Sequence, residues 1–354
     1  MVYNFNSGPS ILPQEVLDQA ASAIHDFNGT GLSILEIGHR TKPIEAVVEE
    51  SAALLKEMMN LDAGKEVLFL HGGATTQFFQ VPMNLLDGKG TAAYLDCGIW
   101  GSKAIREARL FGEVKVVASS ADRKHTYIPK GYDIPENAAY LHLTSNNTVE
   151  GTQMWEFPKT GVPLVADMSS DILSRELDFN RFSLIYAGAQ KNIGVAGVTM
   201  VVVDSRMLGR VGRELPAMMD YRHHIENRSM LNTPPVFAIY VCLLTLRWLK
   251  RQGGLAALEK ANREKAALLY DALESSPVFV PTVDKADRSQ MNVVFVTREP
   301  GQEKSFLELC QREGIVGVKG HRSVGGLRAS LYNALPVSHV RHLVELMRHF
   351  EKSC

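Results

Sequence analysis

Charge of one sign is what this chain most lacks. Its 38 Lys and Arg against 39 Asp and Glu leave a formal net charge of -1. That gives no field for drawing in nucleic acid or an anionic membrane, so neither is expected as a partner. Long hydrophobic runs are missing as well. The longest, around 194–203 and 237–246, reach about ten residues, and a membrane-spanning helix needs ~20. Cysteine is scarce: Cys97, Cys242, Cys310 and Cys354 lie far apart and form no metal or redox motif. Free thiols in a reducing cytosol account for them, and a cytoplasmic protein is expected. The opening, Met1 to Pro9, has neither a basic n-region nor an apolar h-region, so no secretion signal is expected. No internal repeat or low-complexity tract is visible.

What is present is ordinary enzyme composition, 45% hydrophobic and 22% charged over 354 residues. That length suggests two domains and a large core. Short apolar runs recur at 67–70, 92–95, 114–118, 140–143, 164–166, 184–186 and 198–203. Most are continuous rather than alternating, as in strands covered on both faces. Helical stretches lie between several of them, one after Pro43 and one over 99–111. The pattern predicts an α/β domain with a mainly parallel sheet. From Pro235 to Ser275 the chain reads as long helix, interrupted at Gly253-Gly254. Strand-like runs at 292–297 and 327–331 and helices at 303–312 and 337–350 follow. The expected division is an N-terminal segment over 1–14 near the small domain, a large domain over 15–255, and a small α+β domain over 256–354.

One constellation carries chemistry. An apolar run ends at Tyr186, small residues follow, and then comes Lys191. A lysine so near the end of a buried strand is costly to desolvate and serves chemistry or a charge partner. A dry amine has a lowered pKa and can attack a carbonyl. Another apolar run, upstream, ends in Asp167. An acid at one strand end and a lysine after the next is the minimum set for pyridoxal phosphate, the acid keeping the pyridine nitrogen protonated. Taken alone, Lys191 also reads as a surface lysine and Asp167 as a helix cap.

Other segments keep them company. The turn at Gly72-Gly73 enters an expected helix, and Ala74, Thr75 and Thr76 would offer N–H groups to a phosphate; the same turn can be a mere tight connection. Trp100 follows a strand and suits either ring stacking or core packing. Thr148 sits in a turn after a strand, within reach of a ring substituent. His39-Arg40 and His321-Arg322, each flanked by glycine, and Arg328 read as anion clamps or as solvated basic loops.

Together these segments resemble the phosphoserine aminotransferase family, class V aminotransferases of fold type I. The resemblance runs nearly end to end. It includes 4–9, Gly38-His-Arg40, the Gly72-Gly73 turn, Asp167-Met-Ser-Ser170, Ala187 to Gly194, Asn232-Thr-Pro-Pro235 and Gly320 to Gly326. It implies a seven-stranded, mainly parallel sheet and pyridoxal 5′-phosphate as cofactor. Lys191 would carry the cofactor aldehyde, with Asp167 on the ring nitrogen, Trp100 on the ring face and Thr148 near the ring hydroxyl. Ala74, Thr75 and Gln190 would hold the cofactor phosphate, joined by Asn232 and Thr233 from the second subunit of a homodimer. Arg328 would grip the α-carboxylate, and His39, Arg40, His321 and Arg322 the distal anion. The implied reaction exchanges an amino group between 3-phosphooxypyruvate with glutamate and phosphoserine with 2-oxoglutarate, in serine biosynthesis. 4-Phosphohydroxythreonine, in pyridoxal phosphate biosynthesis, is a further candidate substrate. Some family members carry an arginine where this chain has Thr75, which puts that loop's part in substrate phosphate binding in doubt. Serine–glyoxylate aminotransferases and desulfurases would share Lys191 and Asp167 but should lack the two His-Arg clamps.

Overall fold

The computed structural model describes residues 1–353; Cys354 lies outside the described residues. A two-residue strand, β1 (Tyr3–Asn4), opens the chain. The large sheet takes β2 (Lys65–Leu70), β3 (Thr91–Asp96), β4 (Glu113–Ser119), β5 (Leu141–Thr144), β6 (Leu164–Asp167), β7 (Phe182–Gly188) and β8 (Thr199–Asp204). Their spatial order is β2-β8-β7-β6-β5-β3-β4. Only β8 runs against the rest, antiparallel to both β2 and β7.

Except at its edge strand β4, which is largely exposed, the sheet is covered on both faces, which is why its strands read as continuous apolar runs. β6 and β8 are buried throughout. One face packs on α1 (Gln14–His25), α2 (Lys42–Met58) and α6 (Val236–Arg251) through Val67, Leu141, Ala166, Ile185 and Val202. The other packs on α3 (Gly73–Leu85), α4 (Ile99–Ala108) and α5 (Tyr221–Glu226) through Leu68, Tyr94, Val165, Leu184 and Val201. Successive residues of one strand thus feed opposite cores, the period of two expected of strands.

The long helix of the sequence is two helices. After α6, Gly253 and Gly254 take positive φ values of 100° and 73° before α7 (Gly254–Ser275) begins. Side chains with a Cβ rarely adopt that conformation, so the glycines set the corner. The helix read over 99–111 ends earlier, at Ala108. α7 starts against the first core at Leu258 and ends in a second core at Ala266, Leu269 and Leu273. That second core lies on an antiparallel sheet of β9 (Phe279–Pro281), β10 (Asn292–Thr297) and β12 (Leu327–Ser330), with α8 (Gln302–Arg312) and α9 (Val337–Glu351). Phe279, Phe306 and Phe350 pack there edge-on or tilted. β1 pairs in parallel with β11 (Ile315–Val316), and Phe5 is buried in the same core. These short strands have too few residues for a periodic signal, and the sequence reading missed β1, β9 and β11.

The carboxyl ends of β2, β3, β5, β6 and β7 all open to one edge of the sheet, where α/β proteins build their sites. Leu70, Asp96, Thr144, Asp167 and Gly188 stand at those ends. No helix among the described residues is long and apolar enough to cross a membrane.

Candidate active site

Lys191 enters the site on the turn after β7. Its Nζ donates to Thr148 Oγ1 at 2.6 Å, and Thr148 is buried on the loop after β5. The chain's opening segment lies along the lysine. Ser10 N donates to Gln190 O at 2.9 Å, and Ser10 Oγ donates to Lys191 O. A Cβ on Gly8, whose φ is +142°, would come within 3.4 Å of Lys191 Cγ. The positive φ, which L side chains rarely adopt, rather than crowding is what calls for glycine there.

Asp167 closes β6 and is buried; its Oδ1 accepts from Ser169 N at 2.9 Å. Burial raises its pKa, against the opposing pull of the Lys191 charge and the Ser169 hydrogen bonds. Burial likewise pushes the Lys191 amine down to about 8, while the Asp167 carboxylate pulls it up and the Arg328 guanidinium adds to the fall. For each group, loss of water outweighs the partner's charge. Both line one cavity of about 140 Å³.

Three further walls of that cavity come from strand ends. Gly72, with φ +91°, precedes α3 and offers it no side-chain cap, so Gly73, Ala74 and Thr75 present a helix N-terminus. Thr76 turns its hydroxyl back to Gly72 O at 2.9 Å. Gln190 folds against Gly188, where a Cβ would stand 2.7 Å from its Oε1. Trp100 sits in the first turn of α4, beside Phe78. Glu150 Oε1 accepts from Ile99 N at 2.8 Å and holds that turn in place. A Cβ on Gly98 would lie 2.7 Å from Glu150 Oε2 and from Asn147 Oδ1, so the chain can pass there only as glycine. Two buried polar atoms on the cavity's lining residues have no partner, Trp100 Nε1 and Thr144 Oγ1.

Arg328 on β12 is buried and joins the site through Thr148. Its Nη1 donates to Thr148 O at 3.0 Å and its Nη2 to Ser7 Oγ at 2.6 Å, while Nε has no partner. Tyr332 anchors the same segment, donating to Ser7 O at 2.8 Å. His321 is part-exposed and bonded to Ser323 Oγ at 2.6 Å. Burial lowers its pKa, and the positive charges of Arg328, Arg322 and Lys103 lower it further. Cations therefore gather on this flank.

Not every residue singled out from the sequence meets the others. Ala74, Thr75, Trp100, Thr148, Asp167, Gln190 and Lys191 share the cavity, and Arg328 adjoins it. His39 does not; with Thr233 it lines a separate cavity of about 480 Å³, and its Nε2 is buried without a partner. Arg40 is exposed. Asn232 Nδ2 and Thr233 O lie 3.4 and 3.2 Å from His71 Nε2. Sequence reasoning missed the roles of Ser7, Ser10, Thr144, Glu150 and Ser169. For Ser7 and Ser10 the available signal was Ser-Gly-Pro-Ser at 7–10, a rigid turn with two free hydroxyls.

Fold and site together define an α/β protein with a lysine and an acid facing one cavity at the strand ends. The chain belongs to the aminotransferase class V family, whose model matches residues 2–343. Relatives at 50–54% identity over 99% of the chain are phosphoserine aminotransferases. The phosphoserine aminotransferase of Flavobacterium johnsoniae is 54% identical over 99% of this chain and 98% of its own. That of Bacillus circulans subsp. alkalophilus, a solved structure, superposes with a TM-score of 0.97 at 47% identity, covering 100% of this chain and 99% of the other. The pyridoxal-phosphate-bound enzyme of Trichomonas vaginalis matches at a TM-score of 0.94 and 35% identity, over 98% and 100%.

The electrostatic coupling can be read directly. In cofactor-free protein, amine-selective acylation of Lys191 should show a midpoint near pH 8, below the ~10.4 of an ordinary lysine. Asp167→Asn removes the charge that favours the ammonium, so the midpoint should fall further. A midpoint near 10, or one that Asp167→Asn leaves in place, would contradict the coupling.

Proposed function

We propose that this chain is a phosphoserine aminotransferase. It exchanges an amino group reversibly between O-phospho-L-serine and 2-oxoglutarate, with pyridoxal 5′-phosphate as cofactor, in the cytoplasmic synthesis of serine. The carrying observation is one cavity that holds Lys191 and Asp167 and adjoins the Arg328–His321–Arg322 flank. Action on 4-phosphohydroxythreonine belongs to the same reading, since that substrate offers the same two anions.

The residues fit the cofactor. Lys191 and Asp167 supply an amine and an acid in one dry space, and the uncapped start of α3 suits a phosphate. Trp100 Nε1 and Thr144 Oγ1 are unsatisfied where a polar ligand would complete them. Pyridoxal phosphate, when bound, supplies an aldehyde for the amino group and a protonated ring that accepts electrons. Asp167 would hold the proton on the ring nitrogen, and a cation there offsets the burial that raises its pKa. Ala74, Thr75 and Gln190 would hold the cofactor phosphate, and Trp100 would cover the ring. Lys191 Nζ, with its pKa brought down to about 8, is a base matched to taking and returning the substrate α-proton. Thr148 holds Nζ in place. Arg328 would bind the α-carboxylate, exchanging its bond to Ser7 for the substrate's.

The assembly proposed is a homodimer, and the division of the chain at about residue 255 into large and small domains is part of the same reading. His39 and Thr233, away from the Lys191 cavity, line an open space with Pro234, Pro235 and Phe237. In a dimer His39, Arg40, Asn232 and Thr233 would serve the neighbouring cavity. Mixing inactive Lys191→Ala subunits with inactive Asn232 and Thr233 double mutants should then restore activity in hybrid dimers. No recovery despite subunit exchange would mean that each site is built from one chain.

Substrate ends should separate by mutation. Arg328→Ala is expected to weaken phosphoserine and glutamate alike, because both lose the same contact. Arg322→Ala should hurt phosphoserine more, since phosphate carries nearly two charges and three acceptor oxygens. A charge-assisted contact is worth roughly 1.5–3 kcal/mol, so kcat/KM should drop about ten- to a hundredfold. If Arg322→Ala keeps the preference for phosphoserine intact, the His321–Arg322 loop does not read the phosphate.

A further inference from the structure

The face of the sheet that carries Asp167 also carries a row of polar rings. Register sets Tyr94 of β3 beside His142 of β5, and Tyr186 of β7 beside Asp167 of β6. Thr144 flanks Asp167 from β5. All five are buried. Tyr186 reaches across β6, bringing its hydroxyl to 2.8 Å from His142 Nε2. The imidazole stacks on Tyr94 with centroids 4.8 Å apart. An apolar core has no need of such groups, and burying them costs solvation.

The hydrogen positions follow from what His142 lacks. Its Nδ1 is buried with no partner. Burial pushes the imidazole down to about 3, so it is neutral and carries one proton. An orphaned buried N–H is rarer than an orphaned acceptor, so the proton belongs on Nε2 and is donated to the Tyr186 oxygen. The phenol proton then points away from His142. The register partner of Tyr186 on β6 is Asp167, and the charge of that carboxylate adds to burial in raising the phenol's pKa well above the ordinary value.

We propose that Tyr186 is a positioning residue for Asp167, donating a hydrogen bond to the carboxylate from the sheet side while accepting one from His142 Nε2. The contact holds Asp167 charged and aimed into the cavity. Its catalytic consequence rests on the reading of Asp167 as the partner of the ring nitrogen. Among the other groups facing Asp167, Lys191 and Ser169 favour its charged form and Asp171 opposes it.

Tyr186→Phe keeps the ring and removes the donor. In cofactor-free protein with carbon-13 in its aspartate side chains, the Asp167 carboxyl should titrate about one pH unit higher in this variant, roughly a tenfold change in proton affinity. His142→Phe, which removes the donor behind the phenol, should shift it in the same direction. In the holoenzyme, kcat for phosphoserine and for glutamate should fall together by about tenfold, with KM little changed. An unshifted Asp167 midpoint in folded Tyr186→Phe overturns the proposal. If that variant does not fold, an unshifted midpoint in His142→Phe overturns it as well. A raised midpoint with unchanged turnover supports the contact and contradicts instead the catalytic role given to Asp167.

Discussion

Two opposite charges, on Asp167 and Lys191, line one small cavity, and burial disfavours both. Burial raises the acid and lowers the amine, and each partner's charge only partly offsets the loss of solvent. In water such a pair would be worth little. Where burial weakens both charges, a ligand with a basic ring nitrogen and an aldehyde would relieve each end. The rest of the molecule maintains that arrangement. The sheet sets Asp167 at the end of β6, and β7 delivers the turn that carries Lys191. The helices on both faces keep the strand ends rigid.

The opening segment links the two ends of the site. Ser10 bonds the backbone of Gln190 and Lys191, and Ser7 occupies Arg328. Tyr332 ties Ser7 back to the smaller sheet's domain side. The amine and the guanidinium, on elements far apart in sequence, are thus held at a fixed spacing by four residues of backbone. A substrate carboxylate would meet an arginine already aimed by Thr148 O and released from Ser7 alone. Preorganisation of this kind keeps the ordering cost out of the binding step.

Six of the seven strands were legible because they are buried on both faces, so apolar runs mark them; β4, at the sheet edge, is largely exposed. Asp167 and Lys191 were legible because each stands where such a run stops. The residues alone leave Trp100 open between core packing and ring stacking, and only the resemblance sets it on the ring; its unpartnered Nε1 and its place on the cavity wall could not be read from a strand-turn-helix pattern. Thr148, expected near a ring substituent, accepts a hydrogen bond from the lysine amine, a pairing 43 residues apart in sequence. Ser7 and Ser10 escaped notice because their partners lie 321 and 181 residues away. The pairing of Tyr186 with His142 needs the strand order β7-β6-β5, which local pattern does not carry. What sequence withholds is therefore long-range pairing rather than residue type.

The most direct measurement of the account is to load the protein with pyridoxal phosphate, reduce it with borohydride, digest it, and locate the pyridoxyl group by mass spectrometry. The account predicts a single modified residue, Lys191. A pyridoxyl group on another lysine, or none on a folded protein, would contradict it.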